Sequence, residues 1–61
     1  MKYTVVIFRK FKDYVLQPSE LEINRKSGFD YIVESVFKSS FETAAYLIDN
    51  TTGKLADAYV K

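Results

Sequence analysis

One stretch of this 61-residue chain has the spacing of an amphipathic helix, and the segments on both sides read as strands. Phe29, Ile32, Val33, Val36 and Phe37 recur at i, i+3, i+4, i+7 and i+8, a single apolar stripe. A helix of about eleven residues spans roughly 16 Å, enough to cover one face of a small sheet and not two. The chain is therefore expected to fold as one helix on one sheet, with the sheet's second face left to be accounted for. Ser27, three residues before Asp30, has the spacing of a capping box with Asp in place of Glu, and is expected to open the helix. Glu34 and Lys38 form an i,i+4 pair, Asp30 and Lys38 suit the two ends of the helix dipole, and Ser39-Ser40 is the expected end.

Before the helix, Tyr3–Phe11 is rich in β-branched and aromatic residues. Val5 and Ile7 point to one face and Val6 and Phe8 to the other, the pattern of a central strand. Residues 14–24 read as a second, broken strand. Tyr14 and Leu16 share one parity and Leu21 and Ile23 the other, with Pro18-Ser19 between them. A bulge there would reconcile the two halves, and Pro confines the strand to an edge. After the helix, residues 44–50 and 54–60 form a hairpin. Gly53 suits the left-handed position that closes a three-residue loop, which pairs Asn50 with Lys54, Ile48 with Ala56, Tyr46 with Ala58 and Ala44 with Val60. The expected architecture is a single α+β domain over residues 1–61, ββαββ, a four-stranded antiparallel sheet with one helix packed on one face.

Several functions are made improbable by what the chain lacks. It has no Cys and no His, so disulfides, zinc and haem sites built on those ligands, and the commonest nucleophile–base pairs are excluded. Gly28 and Gly53 are isolated, so there is no phosphate-cradling loop. Glu20 with Glu22, and Asp49 with Asp57, read as solvated edges before catalytic dyads or metal sites. No catalytic residue, metal or cofactor is expected, and the chain is read as a non-enzyme. The net charge of +1 exerts no general pull toward nucleic acid or membrane. The longest apolar run near the start, Val5–Phe8, is too short for a signal-peptide core or a membrane span, so a cytoplasmic protein is expected.

Two surfaces remain as candidates. With the helix over the even face of the hairpin, the odd face is left uncovered, and Leu47, Leu55, Tyr59 and Asp57 become the expected partner-binding residues. The partner there is another protein or a second copy of the chain. The alternative is the segment holding Arg9, Lys10, Phe11, Lys12 and Tyr14, where cations interleave with rings as they do in proteins that bind single-stranded nucleic acid. Alternation splits these residues between two faces, and a strand end guarded by charge is the plainer reading.

Two resemblances bear on function. The opening Met1-Lys2-Tyr3-Thr4-Val5-Val6-Ile7 is similar to the first strand of HicB-type antitoxins, though the segment after it departs from that family's Gly-rich strand. Val5-Val6, Phe11-Lys12-Asp13 and Leu47-Ile48-Asp49, in a chain of this length and layout, resemble the Dmd family of small phage-encoded antitoxins. That resemblance implies a phage-type protein that occupies a groove on a host ribonuclease toxin or another host enzyme. The expected function is a small non-catalytic protein-binding module, an antitoxin or enzyme inhibitor, with a small single-stranded nucleic-acid-binding protein as the alternative.

Overall fold

A computed structural model describes residues 2–38 and 42–60. The fold is α+β: one helix and an open antiparallel sheet. The elements are β1 (Tyr3–Phe11), β2 (Tyr14–Val15), β3 (Ser19–Ile23), α1 (Lys26–Val36), β4 (Glu42–Asp49) and β5 (Lys54–Val60). β1 lies inside the sheet, with β4 on one side and both β2 and β3 on the other; β5 closes the far edge. The sheet thus has five strands where four were expected, because the broken edge strand is divided in two. The break does what its parity demanded. β2 pairs Phe11 with Tyr14, whereas β3 pairs Val5 with Leu21 and Tyr3 with Ile23. One residue of register is gained across the interruption, and Tyr14, Leu21 and Ile23 come to the same face. A two-residue loop joins β1 to β2, with Lys12 at φ 54, a left-handed position that few side chains adopt without strain.

The helix carries the expected stripe and buries it. Phe29 and Val33 are buried, and Ile32, Val36 and Phe37 pack around them against Val5, Ile7, Ala45 and Leu47 of the sheet. Its start differs from expectation. The N-cap is Arg25, with extended backbone and no side-chain capping bond, so the Ser27–Asp30 capping box does not form. Asp30 falls beyond the first turn and Lys38 beyond the helix end, so neither sits where the helix dipole acts most strongly. The earlier start sets Gly28 against Ile23: a Cβ there would lie 3.4 Å from Ile23 Cδ1. Phe37 is the C-cap, and its N–H donates to Val33 O at 2.9 Å. The expected end at Ser39-Ser40 lies outside the described residues.

The hairpin departs from the expected register at the turn and rejoins it further along. Asp49 pairs with Lys54, leaving four residues in the loop instead of three. Asn50 cannot pair with Lys54 because it is engaged elsewhere: its N–H donates to Lys2 O at 3.0 Å, and its side-chain oxygen accepts from the Thr4 hydroxyl at 2.9 Å. Asp49 organises the loop. Its carboxylate accepts from Thr51 N–H at 2.8 Å and its carbonyl from Gly53 N–H at 2.7 Å. Gly53 has φ +72, the left-handed conformation expected of it. A register shift then inserts Ala56 as a bulge. Ile48 faces Leu55 and not Ala56, while Tyr46 with Ala58 and Ala44 with Val60 pair as expected.

Candidate functional site

The helix covers the odd-numbered face of the sheet, so the expected assignment of faces is inverted. Val5, Ala45 and Leu47 are fully buried beneath α1, and Thr43 is almost so. Leu47 is therefore a core residue and cannot meet a partner. Asp57 and Tyr59, opposite Leu47 and Ala45, lie on this covered side as well. Tyr59 stands at the margin, its ring packed edge-on against Phe37 at 5.5 Å between centroids, and Asp57 is partly buried with its carboxylate accepting from Ala58 N–H at 2.8 Å. Of the four residues expected at the interface, Leu55 alone is on the uncovered face, where the Ala56 bulge puts it. The even face of the hairpin is wholly apolar by sequence and the odd face carries Asp49 and Asp57, so alternation pointed to the face that the helix leaves open. Bulk points the other way. Thr43 and Ala45 leave room for Phe29 and Val33, whereas the opposite face carries Tyr46 and Ile48 beside Phe8.

The uncovered face can be built strand by strand from the register. Val6 sits beside Tyr46 and Phe8 beside Ala44; across β4, Tyr46 meets Ala58, Ala44 meets Val60, and Ile48 meets Leu55. Phe8 and Tyr46 form an edge-on ring pair, 5.7 Å between centroids, at the centre. A shallow hollow of about 360 Å³ lies beside this pair, lined by Val6, Phe8, Tyr46, Ile48, Gly53 and Leu55. A second, of about 270 Å³, is lined by Phe8, Lys10, Val15, Glu42, Ala44 and Val60 and reaches Arg9 and Thr43. Leu55 is 58% exposed, Val60 70% and Val15 75%. The result is one contiguous apolar surface over three adjacent strands. Ala44, Tyr46, Ile48 and Val60 were not expected at the interface because the even face of the hairpin was assigned to the helix side, whereas the sequence left open which face of the first strand, Val6 and Phe8 or Val5 and Ile7, would be uncovered.

The basic-aromatic segment is divided as its alternation implied. Arg9 faces the covered side, where Nη2 donates to Ser19 Oγ at 3.0 Å and Nε is buried with no hydrogen-bond partner among the described residues. Lys10 faces the opposite side, beside Glu42. Phe11 and Tyr14 are cross-strand partners, both exposed, with the Lys12 ammonium 5.6 Å from the Phe11 ring centroid. The segment presents no continuous row of cations to a phosphate backbone. Among the described residues there is no cluster of three or more acidic side chains able to hold a metal ion, and no helix long and apolar enough to cross a membrane. Fold and surface together define a two-layer α+β domain with one sheet face left open. The chain matches no family model, no curated protein and no solved structure.

Proposed function

We propose that the chain is a non-catalytic protein-binding module whose working surface is the open sheet face. One observation carries this reading: an apolar surface that in a two-layer fold would ordinarily be solvated holds Val6, Phe8, Tyr46, Ile48, Leu55 and Val60 in one patch. A chain of 61 residues buries only about 60% of its unfolded surface, so covering this face adds stabilisation that its small core cannot provide. The more particular form of the reading, a phage-type antitoxin or inhibitor seated on a host enzyme, is supported by the short strand matches and the layout already described.

Site-specific photo-crosslinking in the native host tests the surface. A crosslinking residue at Leu55 is expected to capture a partner, whereas one at Tyr31, exposed on the outer side of α1, is expected to capture none. Capture from Tyr31 with none from Leu55 would place the working surface on the helix and end this reading.

A further inference from the structure

The two edges of the sheet and its open face are treated differently. The β2/β3 edge is interrupted at residues 16–18, where Pro18 has no N–H to offer a further strand. The β5 edge is bent by the Ala56 bulge, and the Asp57 carboxylate already accepts from the Ala58 N–H. Both edges are thus poorly suited to strand addition, one of the ways in which a sheet recruits a peptide. The face has no such guard.

Width and charge narrow what fits it. The apolar band covers β1, β4 and β5, two inter-strand spacings or about 10 Å across, which is close to the diameter of one α-helix. Both of its hollows are lined by Phe8, and one of them by Tyr46 as well. From Val6 to Lys10 the strand advances about 13 Å, near the separation of helix residues two turns apart, roughly 11 Å. Beside the band runs β3, which turns Glu20 and Glu22 to this same face opposite Val6 and Thr4. The other long rim, β5, turns Leu55, Ala58 and Val60 to this face and, among the described residues, no charged side chain. Lys10 and Glu42 are cross-strand neighbours at one end and offset each other. A second copy fits this distribution poorly. An isologous stack sets the Glu20–Glu22 row against itself or over the apolar β5 rim, depending on the axis, and neither supplies a cation.

We infer that the open face seats one amphipathic helix of a partner protein, its apolar stripe over Phe8 and Tyr46 and a Lys- or Arg-bearing flank toward Glu20 and Glu22. This rests on the open face being the working surface. The partner helix lies as the counterpart of α1 on the other side of the sheet, and completes a three-layer arrangement.

Two synthetic helical peptides of about fourteen residues, four turns, test the inference. They share one leucine spacing and carry Lys in one and Glu in the other at the flanking positions. Titrated into isotope-labelled protein, the Lys peptide is expected to shift the amide resonances of Phe8, Ala44, Ile48 and Leu55. It should bind about tenfold more tightly than the Glu peptide, and the difference should shrink with added salt. The double variant Glu20→Lys, Glu22→Lys should reverse the order. Equal binding of both peptides, or no reversal in the variant, overturns the basic flank and leaves the face standing. No shift with either peptide, while crosslinks still form from Leu55, overturns the helix as occupant. Shifts confined to α1 or to the Lys12 turn overturn the face itself. Concentration-dependent dimers of the free protein in sedimentation equilibrium, abolished by Leu55→Asp, would make a second copy the occupant and overturn the inference.

Discussion

The two faces of this sheet are nearly equal in apolar character and opposite in fate. The covered face offers Val5, Ile7, Ala45 and Leu47, of modest size, and the helix fits its aromatic and branched stripe onto them. The open face offers Phe8, Tyr46, Ile48 and Leu55, of which the two aromatic residues are bulkier, and it stands partly in water. The comparison teaches that hydrophobicity by itself does not choose a core face when one helix must cover one of two candidates. Close packing chooses it, because a helix approaches a sheet only where the side chains beneath it leave room. The face left over keeps its apolar surface, and that surface is the part of the molecule free to do work.

The sharpest way to break this comparison is to place a charge on each face. Leu47→Asp is expected to unfold the chain. Large-to-small changes at such sites already cost about 2–5 kcal/mol, and a buried unpaired carboxylate adds to that in a domain whose whole stability is on the order of 3–9 kcal/mol. Loss of the far-UV circular-dichroism transition reads the outcome. A folded, cooperatively melting Leu47→Asp would mean that the helix lies on the other face. Phe29→Ala removes the largest buried ring from the helix side and should destabilise by about 3–5 kcal/mol in urea titrations.

Smaller effects sharpen the comparison. Gly53→Val should cost roughly 1–2 kcal/mol from its left-handed backbone, since nothing lies within 4 Å to clash with a Cβ. Asn at the same position should recover part of that loss in thermal melts, because Asn tolerates φ above zero. Leu55→Asp, on the open face, should change stability by only about 0.5 kcal/mol, and yet abolish partner capture. A Leu55→Asp protein that unfolds would show that the open face is needed for folding as well as for binding. The smallest change in stability is expected on deletion of Ala56. Leu55 stays opposite Ile48 and Asp57 opposite Leu47, so the fold persists while the β5 edge straightens. Light scattering should then reveal edge-to-edge association that the bulge suppresses.

Much of the architecture was legible because it depends on local pattern. The helix stripe from Phe29 to Phe37, the central strand Tyr3–Phe11, the parity switch around Pro18 and the left-handed Gly53 follow from periodicity and backbone geometry, which act over a few residues. The hairpin register was legible at Tyr46–Ala58 and Ala44–Val60, away from the turn. It failed at Ile48, because Asn50 is held by Lys2 and Thr4, residues nearly fifty positions away that no local rule connects to the turn. The capping box failed for a related reason. The helix starts at Lys26, with Gly28 closing on Ile23, and so Ser27 lies inside the first turn and not before it.

The sequence by itself determined that the chain would make one helix and a small antiparallel sheet, and that one face of that sheet would remain uncovered. A single helix of about eleven residues can cover no more than one face. Only the tertiary structure decided which face that was. Val5 and Ile7 differ little from Val6 and Phe8 in hydrophobicity, and transfer out of water rewards burial of either pair about equally per unit area. The choice fell to contacts between segments far apart in the chain: Phe29 and Val33 settling over Ala45 and Leu47, and the Ala56 bulge turning Leu55 outward while Leu47 stays within.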